Sequence, residues 1–296
     1  MIGLIRTIYR YGFFPMAVVA TIAWMLWGDG RAISAPVLLM TAAAVLLPAL
    51  LLLERLLPYE QDWNRARGDV GTDLFSGVIL AGIADPLLKA LGPALVIALT
   101  APLGEAYGSA WFPSHWPLPA QLVLVVVLAE FGRYWAHRFS HRFRWLWSLH
   151  AMHHSPERLY ALNNLRFHPF NHALNYAFGI LPLLLLGATV QATVLYAALG
   201  QTFTLFQHAN LDLRYGWLNY VFSTNEAHRW HHSTHLDEGE RNFGSVLLVW
   251  DVLFGTHLMP PSGGRPKQLG LSGTPDYPGN GYLRQFTASL GVRCCA

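Results

Sequence analysis

The chain has 296 residues, 53% of them hydrophobic and 12% charged, with a formal net charge of +3. An ordinary soluble domain carries roughly 25% charged residues, so this composition excludes a typical water-soluble globule. The small positive charge requires no nucleic-acid partner, and two adjacent cysteines, Cys294 and Cys295, exclude a disulfide framework or a CxxC pair and read as free thiols on a tail.

In chain order, three or four segments are long enough to span a bilayer, which takes about 20 mostly apolar residues. The first runs from Phe13 to Trp27 after Arg6 and Arg10. It lacks a small-residue cleavage site and reads as an uncleaved helix. The second, Ala35 to Leu53, has no charge. The third, Leu74 to Thr100, is interrupted by Asp85, Pro86 and Lys89, so one broken helix and two short ones both remain open. The fourth, Leu118 to Tyr134, runs straight into a histidine cluster. A further apolar region, Ala173 to Phe206, contains Pro182 and Gly187 and reads as a hairpin of two helices that dips in and returns. Glycines and prolines from Pro260 to Tyr282 predict an irregular C-terminal segment.

Basic residues give the orientation. Arg6 and Arg10 precede the first segment, Arg55, Arg65 and Arg67 follow the second, and Arg133, Arg138, Arg142 and Arg144 follow the fourth. The positive-inside rule then puts these loops, the histidines and both termini on the cytoplasmic side, provided the third segment crosses once. The expected fold is all-α: a polytopic transmembrane helix bundle with a cytoplasmic histidine-rich helical cap.

Eight histidines fall in three clusters: His137 and His141 in HRFSH, His150, His153 and His154 in HAMHH, and His228, His231 and His232 in HRWHH. On a helix, spacings of three and four residues share a face. An HxxxH pair alone is weak, and isolated histidines such as His115 and His257 read as ordinary interfacial residues. Two HxxHH triplets are different, because burying several unpaired imidazoles is costly and metal coordination removes the cost. Imidazoles suit iron, zinc, copper or nickel, and eight exceed the four ligands of a tetrahedral zinc, so the pattern fits two metal ions. None of Glu130, Glu157, Asp212, Glu226, Asp237 and Glu238 falls in a Glu-x-x-His frame, which separates the site from carboxylate-rich di-iron bundles. Glu226 and Asp212 are the candidates to orient ligand imidazoles instead, with surface charge or a helix cap as the other reading. A metal transporter would need polar groups along several helices, and a zinc hydrolase would need fewer ligands and a general-base Glu.

The motifs HRFSH, HAMHHSPE and HRWHHS, with Phe206-Gln207-His208-Ala209-Asn210, Asn242-Phe243-Gly244 and the run from Trp250 to Thr256, resemble the fatty acid hydroxylase and sterol desaturase superfamily. The likeness covers Leu118 to Pro260 and leans toward the branch with bacterial sterol-desaturase-like proteins and alkylglycerol monooxygenase. It implies a di-iron oxygenase unit over 118–260, beside the N-terminal membrane helices over 1–117 read from hydrophobicity and the irregular tail over 261–296 read from its glycines and prolines. It also implies that the eight histidines bind two non-haem iron ions, with His208 the first further candidate and His168 and His172 next. His235 lies where a supporting hydrogen bond is expected.

The implied activity is O2-dependent hydroxylation or desaturation of a lipid C–H bond: a sterol, fatty acyl, ether-lipid or carotenoid substrate. Electrons would come from a separate cytochrome b5-like, ferredoxin or reductase donor. Arg133, Arg138, Arg142, Arg144 and Arg158 are candidates for contacting lipid phosphates, beside their ordinary role as cytoplasmic anchors. Trp135, Trp145, Trp147 and Trp230 read as interfacial aromatics.

Overall fold

The computed structural model of the protein describes residues 2–101, 111–260, 264–272 and 277–290. Cys294, Cys295 and residues 102–110 of the loop before the fourth apolar segment lie outside these. The described residues are helical, with three isolated β-bridges and no strand.

Helices α1 (Ile2–Asp29), α2 (Ala35–Leu56), α3 (Val70–Ile79), α4 (Asp85–Thr100) and α5 (Leu118–Arg142) carry the four expected segments. Four runs are long and apolar enough to cross a membrane: Arg6–Asp29, Ala35–Leu56, Val70–Thr100 and Leu118–Arg142. The third is one continuous run, because a π-helical turn over Leu80–Ala84 joins α3 to α4. Pro86, at the start of α4, removes a helical N–H, and the widened turn before it absorbs the loss. Asp85 and Lys89 pair with each other at 2.5 Å, so the two charges in this apolar run are matched.

Past α5 come α6 (Arg144–His154), α7 (Pro169–Gly179), α8 (Leu181–Leu185), α9 (Val190–Gln207), α10 (Asn225–His231), α11 (Leu236–Gly239), α12 (Val249–Leu253) and α13 (Tyr282–Leu290). The apolar region from Ala173 is the expected hairpin, α7 and α8 going in and α9 returning. Its turn reaches the N-terminal end of α5, where Thr189 donates to Gln121 at 2.6 Å. The crossing of α5 and α7 is close: a Cβ on Gly132 would lie 1.9 Å from the Phe178 carbonyl oxygen, so only glycine fits. α9 runs through the centre of the bundle, where Phe203 and Phe206 meet Phe14 of α1 edge-on. The segment read as an irregular tail holds α13, which packs on α6 and α3, with Gln285 fully buried.

The cap sits at one end of the bundle, fastened by buried acids from the N-terminal helices. Glu54 of α2 accepts from the backbone N–H of Ala161 at 2.7 Å and of Asn210 at 2.8 Å. Asp69 binds Arg158 through two hydrogen bonds of 2.6 and 2.8 Å, and Asp73 takes Arg166 and the Tyr160 hydroxyl. A buried charge stripped of its partner is strongly destabilising, so these pairs fix how the cap docks. Arg10 and Arg67 also engage cap residues, Asp212 and Glu157. The basic segments named above therefore gather at the cap end.

Candidate metal centre

Four helices deliver the histidines. α5 presents His137 and His141, and α6 turns back with His150, His153 and His154. His208 lies at the C-terminal end of α9. α10 is capped by Thr224, whose side chain accepts from the Ala227 N–H, and presents His228 and His231, with His232 at its C-terminal cap.

These side chains converge in two groups, His137, His141, His150, His154 and His231 in one and His153, His208, His228 and His232 in the other, with ligand atoms within 4.8 Å inside each. Each HxxHH triplet is split between them. α6 gives its i, i+4 pair, His150 and His154, to the group of five and His153 to the group of four; α10 gives His228 and His232 to the group of four and His231 to the group of five. Successive helical residues diverge by about 100°, so adjacent histidines point to different groups.

The outer ring nitrogens fix the tautomers. Nδ1 of His137 lies 2.7 Å from the Phe243 carbonyl oxygen, and Nδ1 of His231 2.7 Å from that of Arg241. A carbonyl only accepts, so both Nδ1 atoms carry the proton and both Nε2 atoms are bare lone pairs. Yet these two Nε2 atoms lie 2.9 Å apart. Lone pairs that close repel unless a cation lies between them. His153 donates likewise to the Arg166 carbonyl at 3.3 Å. His150 donates to Asn171 Oδ1 at 2.9 Å, His208 to Asn163 Oδ1 at 2.8 Å and His141 to Glu240 at 3.1 Å. The Asn163 amide is oriented by its own donation to the Arg158 carbonyl at 2.6 Å. His141 Nε2 is buried with no hydrogen-bond partner.

Burial disfavours the charged imidazole. It pushes His150 down to about 4, against the pull of Asn171, and His228 down to about 3, aided by His150. His153, His154, His208, His231 and His232 are held well below the ordinary histidine value by burial first and by neighbouring histidines second. Neutral imidazoles with inward lone pairs are the form metal binding requires, so nine histidines in groups of five and four fit two metal ions.

The remaining candidates lie elsewhere. His168 caps α7, accepting from the Phe170 N–H, and stacks on Phe286 with centroids 4.6 Å apart. His172 sits 3.7 Å from Asp85. His235 precedes α11, outside both groups. The expected orienting carboxylates are corrected: Glu226 holds Arg214, the Tyr215 N–H and Asn219, and Asp212 pairs with Arg10 and Arg214. The ring-orienting role falls instead to Asn163, Asn171, Glu240 and three backbone carbonyls. The asparagines sit on a 3-10 turn and at the start of α7, where no spacing rule relates them to a histidine.

A family model described as fatty acid hydroxylase matches residues 122–256. Over 226 residues the chain is 39% identical to the ornithine lipid hydroxylase OlsE of Rhizobium tropici, covering 75% of this chain and 67% of that protein. It is 28% identical to the alkylglycerol monooxygenase of Homo sapiens over 49% of this chain and 32% of the relative. It is 26% identical to sphinganine C4-monooxygenase 1 of Arabidopsis thaliana over 62% of this chain and 71% of the relative. No solved structure matches the chain.

Proposed function

Because this chain belongs to the fatty acid hydroxylase family, we propose that it is an integral membrane oxygenase that holds two iron ions in its nine grouped histidines and oxidises a C–H bond of a lipid. The observation that carries the reading is the pair of bare Nε2 atoms of His137 and His231, 2.9 Å apart in a buried site. The relatives' names, which speak of ornithine lipid, alkylglycerol and sphinganine, support a lipid substrate.

The group of five would be one metal position and the group of four the other. Bound there, the metal ions would supply O2 activation, with two electrons from an external donor protein and two protons completing the reduction and leaving an alcohol and water. The chain's own residues do the rest. The carbonyls of Phe243, Arg241 and Arg166 hold His137, His231 and His153 in the tautomer whose Nε2 faces inward. Asn171, Asn163 and Glu240 do the same for His150, His208 and His141. Phe243 and Phe167 pack against the imidazoles and keep water from them. The segment 118–260 carries all nine histidines, and the helices of 1–117 would embed the unit and brace its cap. The arginines gathered at the cap end support a cytoplasmic cap.

The test is metal content of detergent-purified full chain, measured together with oxygen dependence of lipid turnover. His153 belongs to the group of four and His231 to the group of five. About two irons per wild-type chain, about one in His153→Ala or His231→Ala and near none in the double variant is the expected series. A single zinc, or turnover indifferent to oxygen, would overturn the reading.

A further inference from the structure

A cavity of about 190 Å³ opens onto the group of five, with His141, His154 and His231 in its lining. Trp147 walls it, its ring 5.0 Å from that of His141 and 5.3 Å from that of His154. The volume is below the roughly 300 Å³ at which pockets for drug-sized ligands begin, too small for a sterol or a folded acyl chain. Its remaining walls carry charge of both signs: Arg142, Arg144 and Glu240.

The other arginines considered from sequence are already engaged. Arg158 is locked to Asp69, Arg133 reaches Tyr196, and Arg138 donates to Tyr134. Among the described residues, neither Arg142 nor Arg144 makes a hydrogen bond or ion pair. Glu240 accepts from His141 Nδ1 through Oε1, and its carboxylate has a second oxygen. A guanidinium pair suits a carboxylate or phosphate, and a carboxylate suits an amine.

An aromatic row runs along α5 and ends at Phe143, between the two arginines of the cavity wall. Phe131, Trp135, Phe139 and Phe143 meet in sequence, the first pair edge-on and the others tilted, with centroid separations of 6.5, 5.3 and 5.6 Å. Phe143, between the two arginines, is 47% exposed; the neighbouring Trp145 and Leu236 of the cavity wall are each 68% exposed. Exposed aromatics beside cations are the signature of a membrane interface.

Building on the oxygenase reading, we propose that this cavity is the subsite for the zwitterionic head group of a lipid, its anionic group on Arg142 and Arg144 and its amine on Glu240. The acyl chain lies outside, along the aromatic row of α5. The carbon offered to the group of five is then in or beside the head group rather than within the chain. The oxidation is the one proposed above: one C–H bond becomes C–OH, the second oxygen atom of O2 leaves as water, and the donor protein supplies two electrons.

The test uses metal-loaded full chain in nanodiscs and three probes: a diacyl lipid whose head bears a free carboxylate and an ammonium, the same head group without acyl chains, and a diacylglycerol with the same chains. Binding by native mass spectrometry is expected to favour the zwitterionic lipid over each of the others by about tenfold or more, and Arg142→Ala with Arg144→Ala should abolish the preference. Both arginines are exposed, so the double variant should fold, and its metal content should match wild type. Tandem mass spectrometry of the product should find the added oxygen on the head-group fragment. Equal binding of the two lipids would overturn the proposal, as would a preference that survives the double substitution. Tight binding of the free head group would reassign the cavity to a soluble ligand. A raised KM for the electron donor with lipid preference intact would reassign it to donor docking. Oxygen placed within the acyl chain would reject the head-group assignment and leave the oxygenase standing; loss of metal or of oxygen dependence in wild type would reject the oxygenase itself.

Discussion

Asn163 Oδ1 lies 2.8 Å from His208 Nδ1, and the same asparagine, fully buried, donates through Nδ2 to the Arg158 carbonyl. Arg158 is in turn clamped by Asp69 at the start of α3. One polar chain thus links the end of a membrane helix to the orientation of an imidazole in the group of four.

Asn163→Ala should leave the His208 N–H without an acceptor and weaken metal binding in the group of four by about 10- to 100-fold. The group of five should be unaffected. Chelator titration of the loaded protein should show one metal leaving early and one retained; two metals leaving together at the wild-type chelator concentration would show that Asn163 does not support His208.

His208 and His168 separate a grouped histidine from an ungrouped one. His208→Ala should cut metal content by about half, because it removes one of four donors from a site with few to spare. His168→Ala should keep full metal content, with some loss of stability from the α7 cap, about 1 kcal/mol. Elemental analysis with a thermal melt distinguishes the two; a metal-depleted His168→Ala would mean the groups are wrongly drawn.

The grouped histidines predict a pH dependence of the metal-free chain. His150 at about 4 and His228 at about 3 lie below the roughly 6.5 of an unfolded histidine. Between those values the unfolded chain binds protons that the folded chain refuses, so stability falls as pH drops below about 6.5 and goes on falling to about 3. Asp251 acts in the opposite sense: burial pushes it up to about 6, so its contribution is lost as pH rises through that value. Burial raises Glu240 as well, but the histidines held low outnumber these acids and win. Thermal midpoints of metal-free protein should fall by several degrees between pH 7 and pH 4.5. A flat profile would refute neutral imidazoles.

Glu130, fully buried on α5, serves the fold rather than the metals. Its Oε2 accepts from three successive backbone N–H groups, Ser245, Val246 and Leu247, at 3.1, 2.6 and 3.2 Å, and its Oε1 accepts from Tyr196 at 2.7 Å. Glu130→Ala should cost about 3 kcal/mol or more by leaving buried donors unpaired. The loop it holds adjoins Phe243, the acceptor for His137. Yield and melting temperature should drop sharply, and any protein that folds should bind metal. A variant as stable as wild type would contradict this account.

The membrane segments and the eight clustered histidines were legible because both are periodic: apolar length marks a span, and three- and four-residue spacings mark a helix face. Even the division of each triplet follows from helical angles. Which triplet feeds which group does not, because that depends on how α6 and α10 cross. The residues orienting the rings were not legible either. Asn163 and Asn171 reach their histidines through a 3-10 turn and a helix start, and Glu240 follows α11, so their positions depend on tertiary docking. Glu226, two residues before His228, looked suited to the role by proximity, but on α10 it faces Arg214 and Asn219 instead. α13 was hidden by its shortness and by the glycines and prolines before it.

The two histidine groups share a closing moment. Synthesis proceeds from the N-terminus, so the membrane helices through Arg142 emerge before either donor set is whole. The group of five is completed only by His231 and the group of four only by the next residue, His232. Both are delivered by α10, a seven-residue helix capped by Thr224, and by the residue that ends it. That helix works as a clasp: neither donor set is whole before the other, because consecutive residues close both.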